Sequence, residues 1–236
     1  MTRTIERDET LGDLVTREPG WAQVFEQLQL DYCCGGRQTL ADASAERGLD
    51  ADTIIALLRA TREDHSSATA QAHDFAEASI PELCDHIVEA HHGYLRRELP
   101  RIAELLATVV RVHGDAAPQV HDVQRVFESL RAALESHLAV EEEILFPAAK
   151  ALGIPGRPAG VDGPLLALHE DEHDDVGTAL AALRTHSGGY DPDDAMCGTH
   201  RALLRALHEL EIDVHQHVHE ENNVLFARIR ARLAHA

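Results

Sequence analysis

Two stretches of the chain match in frame, HLAVEEEILFPAA from His137 and HVHEENNVLFARI from His217. Both read H-x-x-x-E-x-x-[IV]-L-F, with the two histidines, and likewise the two glutamates, eighty residues apart. A histidine precedes each copy at nearly the same offset, His92 and His173, eighty-one residues apart. Such a repeat predicts a duplicated two-helix hairpin, and so an antiparallel four-helix bundle in an all-α protein. An α-helix turns once in 3.6 residues, so positions i and i+4 stand one above the other. His137 can therefore share a point with Glu141, and His217 with Glu221.

The face these residues occupy decides what they do. Apolar residues at three-four spacing give one stripe per helix. The first carries Val88, His92, Leu95, Leu99, Ile102 and Leu106, and the second Leu130, Leu134, His137, Glu141, Ile144 and Ala148. The third carries Leu166, His169, His173, Val176, Leu180 and Leu183, and the fourth Leu203, Leu207, Leu210, Val214, His217, Glu221 and Val224. Four histidines and two glutamates thus fall in the apolar seam. An unpartnered buried carboxylate costs several kcal/mol, a large share of a total stability of roughly 5–15 kcal/mol, and a bound cation removes that cost. Any one of these histidines alone reads as a hydrogen-bonded core residue; six polar residues in register read as a metal site.

Six imidazole and carboxylate donors are too many for one tetrahedral zinc. Two ions bridged by the two glutamates, each capped by two histidines, use all six, and the donors suit iron or manganese, with zinc an in vitro substitute. Four protein donors per ion leave room for an oxo or hydroxo bridge and an exchangeable ligand. Glu142, Glu143, Glu172 and Glu220 read as solvated or supporting residues.

Composition narrows the function classes. The formal charge is −20, from 41 acids against 21 bases, which opposes nucleic-acid binding. No apolar run approaches the roughly 20 residues of a membrane span, and MTRTIERDETLGDL is charged from its start, so a cytoplasmic protein is expected. Seventeen histidines is a large excess, whereas four cysteines at 33, 34, 84 and 197 fit neither a disulfide framework nor a paired CxxC zinc site.

Residues 1–65 read as a small N-terminal helical domain, 66–78 as a polar linker, and 79–236 as the bundle, opened by Ser79 as N-cap with Glu82 completing a capping box. Breakers at HGDAAP, GIPGRPAGVDGP and HSGGYDP separate the four long helices. Within the N-terminal domain, DYCCGG places Cys33 and Cys34 side by side on a turn. A bond between sequence neighbours constrains almost no chain entropy and is strained, so these thiols read as redox-exchange or soft-metal groups, approachable because Gly35 and Gly36 let the backbone turn. Two buried inert cysteines are the competing reading. His215 and His219 flank His217 at positions turned off the seam and read as surface residues; His91, about 100° from His92 around the helix, competes with it as a ligand.

DYCCGGRQTLADA together with HVHEENNVLF resembles the bacterial iron-sulfur cluster repair di-iron proteins of the ScdA, or repair of iron centres, type, in which such a domain precedes a hemerythrin-like bundle. The resemblance covers nearly the whole chain. It implies two non-haem iron ions, oxo- or hydroxo-bridged, on His92, His137, Glu141, His173, His217 and Glu221, with paired cysteines at Cys33 and Cys34. It implies repair of iron-sulfur clusters damaged by nitric oxide or peroxide, with damaged or apo iron-sulfur proteins as partners and metal transfer rather than conventional enzyme turnover. The second repeat departs from the pattern, reading LFA where the first reads LFP. With fewer terminal histidines than the oxygen-carrying hemerythrins, unless His169 joins, the site would be more open, favouring ligand exchange or iron release. The same residues would serve a nitric oxide or dioxygen sensor. HEDEH at 169–173 matches the zinc-peptidase pattern with Glu170 as base, but no glutamate follows as third ligand. Whether the chain forms a homodimer is left open by the sequence.

Overall fold

The computed structural model describes residues 4–65, 78–152 and 160–234, and among them every regular element is a helix. Residues 66–77 of the expected linker and 153–159 of the second breaker lie outside the described residues. The chain gathers into two units, one made of the residues up to Leu83 together with those from His215, the other running from Cys84 to Val214.

The first unit begins with four helices, α1 (Leu11–Arg17), α2 (Ala22–Leu28), α3 (Leu40–Glu46) and α4 (Ala51–His65). Thr10 caps α1 and Thr39 caps α3, each extended and each accepting the N–H three residues on, at 3.1 Å in both cases. The two caps pair with each other as an isolated antiparallel bridge, so two helix starts are fixed by one contact. Leu11, Leu14, Trp21, Phe25, Leu40 and Leu58 form the core, and the Trp21 indole N–H donates to the Leu58 carbonyl at 2.9 Å.

α5 (Ile80–Ile87) starts where the sequence places it: the Ser79 N–H donates to the Glu82 carboxylate at 2.8 Å, and Glu82 N–H returns to Ser79 Oγ at 3.4 Å. The second unit holds the bundle. Its first helix continues from α5 through a π-helical turn, Val88–His92, into α6 (Gly93–His113). α7 (Gln119–Val140), a π turn (Glu141–Leu145) and α8 (Phe146–Lys150) form the second helix; α9 (Gly163–His186) is the third. Asp162 caps α9, with Pro164 in its first turn. Positive φ at Gly188, Gly189 and Tyr190 (66°, 74° and 62°) ends the following connection sharply, and α10 (Gly198–His219) is the fourth helix. Its residues to Val214 belong to this unit; a further π turn, Glu220–Leu225, leads into α11 (Phe226–Ala234). Leu95, Leu99, Leu134, Leu180, Leu207 and Leu210 fill the seam, and the buried Glu211 of α10 is paired with Arg184 of α9.

The π turns correct three seam positions. A π turn takes one residue more than an α turn, so the buried stripe slips by one. Ile144, expected inside, is 54% exposed while Leu145 is fully buried. Likewise Ala149 rather than Ala148, and Ile87 rather than Val88, is fully covered.

Candidate metal centre

Every one of the six inward donors is buried: His92, Glu141 and Glu221 completely, His173 and His217 to 1%, His137 to 6%. Within the bundle unit, Glu141 stands between two helices' histidines. One carboxylate oxygen lies 3.3 Å from His92 Nε2 and the other 3.1 Å from His137 Nε2. His173, from a third helix, brings its Nε2 to 3.0 Å from that of His137. Two imidazole lone pairs cannot face each other at that distance; a proton or a cation belongs between them. The donor set therefore fits a cation, and imidazole with carboxylate suits non-haem iron.

The ring orientations are held from behind. His92 Nδ1 lies 2.6 Å from Glu142 and His137 Nδ1 lies 2.7 Å from Glu172. With Nδ1–H donated outward to an acid, the Nε2 lone pair of each ring faces inward, the arrangement that fixes a metal-binding tautomer. Partial burial pushes the Glu142 carboxyl upward, but the hydrogen bonds from His92 and Arg96 outweigh it and hold Glu142 below the usual range. His92 also stacks on Phe146, ring centroids 5.6 Å apart.

Two residues left open by the sequence are placed here. His169 is buried with its ring 5.1 Å from that of His137, and His137, His169 and Glu172 form a further group of close donors. Both histidines of HEDEH thus belong beside His137, with Glu172 in hydrogen-bond contact with that ring. His91 is drawn away from His92: its Nδ1 lies 3.1 Å from Asp213 of α10.

In the other unit, His217 and Glu221 pair across one turn, His217 Nε2 lying 3.2 Å from the Glu221 carboxylate. Their neighbours correct the expectation of surface histidines. His219 is buried, its Nδ1–H donating to the Tyr32 carbonyl at 3.2 Å and its Nε2 accepting from Thr16 at 3.3 Å. Burial lowers the pKa of His219 below the ordinary value, and this hydrogen-bond pattern is that of the neutral ring. His215 binds Glu26 at 2.7 Å, and Tyr32 donates to the same carboxylate at 2.9 Å. Residues turned off the seam here meet the N-terminal helices instead of water; the sequence signal was a tyrosine and an acid placed to receive them, which periodicity does not register.

The cysteine turn sits on this same segment. Asn223 donates to the Cys33 carbonyl at 3.0 Å, and Gly36 packs so tightly against Asn223 and the Tyr32 carbonyl that a Cβ there would fall within 2.6 Å of both. The glycine serves close approach rather than an open turn. Asp31 Oδ1 accepts from the Cys33 and Cys34 N–H groups at 3.1 and 3.0 Å and lies 3.2 Å from Cys33 Sγ. The two sulfurs are 4.0 Å apart and unbonded. Contrary to two equally approachable thiols, Cys33 is buried and Cys34 half-buried. The Cys34 thiol, burial and Asp31 together push the Cys33 thiol well above its usual pKa. Asp31, Cys33 and Cys34 nonetheless bring three metal-capable atoms together.

A helical bundle with buried histidines converging on glutamate is the architecture of a cation-binding bundle. The chain belongs to the hemerythrin HHE cation-binding domain family, whose model matches residues 83–229, and its residues 7–62 match the ScdA_N domain of unknown function. Along nearly its whole length it is similar to proteins named iron-sulfur cluster repair protein YtfE. The protein of Pectobacterium atrosepticum is 33% identical over 94% of this chain and 96% of its own. Those of Escherichia coli O1:K1 and Escherichia fergusonii are each 34% identical over 95% of this chain and 98% of their own. Among the described residues no helix is long and apolar enough to cross a membrane.

Proposed function

We propose that this chain is a non-haem di-iron protein that restores iron-sulfur clusters damaged by nitrosative or oxidative stress, acting in the cytoplasm on damaged or apo iron-sulfur proteins. Two irons would be held by His92, His137, Glu141, His173, His217 and Glu221. The observation that carries the reading is Glu141, a fully buried carboxylate with one oxygen toward His92 and the other toward His137. Full-length similarity to proteins named for iron-sulfur cluster repair supports the biological role.

When bound, iron would supply a redox-active, exchangeable centre for nitric oxide or dioxygen. The chain's own part is to orient and to exclude water. Glu142 and Glu172 hold the Nδ1 protons of His92 and His137, so that both rings present Nε2 inward. Phe146 covers one face of His92. Cys33 and Cys34, with Asp31, form a thiol pair that would pass electrons or capture iron or nitric oxide in transit.

Protein purified without oxygen should carry two irons per chain and transfer iron to an apo iron-sulfur enzyme, restoring its activity. Glu141→Ala should lose both properties. Full iron loading without any transfer would reject repair and leave the sensor reading.

A further inference from the structure

At the opposite end of α6 from His92, the bundle unit holds a second thiol environment. Cys197 precedes α10 as its N-cap. Its carbonyl accepts the Arg201 N–H at 3.0 Å, and its sulfur accepts the His200 N–H at 3.4 Å. The sulfur therefore sits at the positive end of a 22-residue helix, which favours negative charge there. From the end of α6, His113 Nε2 lies 3.2 Å from the same sulfur. An imidazole in contact and a helix N-terminus are the two features that make a cysteine nucleophilic. Cys197 is half-buried, whereas Cys84 and Cys33 are buried.

His200, whose N–H meets the sulfur, also lines a neighbouring cavity of about 420 Å³ with Asp194, Leu106, Leu203 and Leu207, a cavity to whose wall Cys197 and His113 do not belong. His200 is tied down by the Met196 N–H, which donates to its Nδ1 at 3.2 Å. Burial, and then the neighbouring His113, lower the pKa of His200 below the ordinary histidine value. The titratable groups placed around the thiol are thus His113 and His200, with Asp194 on the cavity that His200 lines.

We infer that Cys197 is a site of mixed-disulfide formation with low-molecular-weight disulfides, activated by His113. The Cys197 S–H proton passes to His113 Nε2, and the thiolate attacks one sulfur of the disulfide. A bond forms between Sγ and that sulfur as the original S–S bond breaks. The departing thiolate takes up a proton, Cys197 is oxidised, and the small disulfide is reduced to one thiol plus the protein-bound half.

The test uses the reduced full-length chain with excess glutathione disulfide, acid quenching, and peptide mass spectrometry to give an initial rate for each cysteine. Cys197 should react at least ~10-fold faster than Cys84 and Cys33, an advantage that disappears in denaturant. His113→Gln should slow Cys197 by ~10-fold and steepen the fall of its rate toward low pH, without changing the melting temperature. His113→Ala provides a second comparison should the glutamine variant melt lower. A Cys197 no faster than Cys84 would overturn the inference. So would rate and pH dependence left unchanged in both folded His113 variants.

Discussion

His137 Nδ1 lies 2.7 Å from Glu172 Oε2, and that contact decides which face of the ring looks into the bundle. With the Nδ1 proton held outward, Nε2 is left for Glu141, His173 and a cation. Glu172→Ala should therefore leave the fold intact but loosen metal binding, by about 10- to 100-fold, the usual cost of losing such a supporting acid. Glu142→Ala should act alike through His92. Competition against a chromophoric chelator measures both, and unchanged affinity in both variants would mean that neither acid orients its ring.

The six inward donors were legible because helical periodicity is a property of sequence, and buried polar residues in an apolar stripe stand out against it. What periodicity could not show is where the helix itself departs from 3.6 residues per turn. The π turns at Val88–His92 and Glu141–Leu145 exchange Val88 for Ile87 and Ile144 for Leu145, and either residue of each pair is apolar enough for both places. His215 and His219 were misplaced for another reason. Their partners, Glu26 and Tyr32, lie nearly two hundred residues away in the chain, and no local pattern reports a contact of that separation. Cys33 and Cys34, identical in type and adjacent, differ in burial through the packing of one turn.

Glu141 is fully buried, with a histidine at each oxygen. Replacing it by glutamine removes a charge that only a cation or protonated imidazoles can balance. Iron binding should be lost in Glu141→Gln, while the metal-free variant should melt no lower than the metal-free parent, and could gain about 1–3 kcal/mol. In the parent, chelation should lower the melting temperature; in the variant it should change nothing. Thermal melts with and without chelator distinguish these outcomes, and a variant still stabilised by iron would remove Glu141 from the ligand set.

Gly36 meets both the Tyr32 carbonyl and the Asn223 side chain, the closest atom 2.5 Å from where a Cβ would stand. Gly36→Ala should push the cysteine turn off Asn223 and cost about 1–3 kcal/mol by overpacking. Asn223→Ala, which removes donors to the Tyr32 and Cys33 carbonyls, should cost about 1–2 kcal/mol. Denaturant titrations give the energies. Alkylation of Cys33 should quicken in both variants, since its slowness depends on the burial that this docking maintains; equal rates in parent and variants would show the turn to be held by other contacts.

All three tyrosines are held protonated more firmly than free phenol. Burial raises Tyr32 first, with Glu26 adding to it; burial raises Tyr94, helped by Asp213 and Glu98; burial alone raises Tyr190. Each has a folded pKa above its unfolded value of 10.0, so the stability they contribute is fully present below that pH and is lost as pH rises beyond it. In the folded chain phenolate absorbance should therefore be absent at pH 10, where a free tyrosine is half ionised, and should appear together with the loss of helical circular dichroism at higher pH. Tyr32→Phe keeps the buried ring and removes the proton, so it should move the alkaline unfolding midpoint upward while sacrificing the bond to Glu26 at neutral pH, a cost of about 1 kcal/mol. A phenolate phase with a midpoint near 10 in a chain that is still fully helical would show that at least one of the three rings lies open to water.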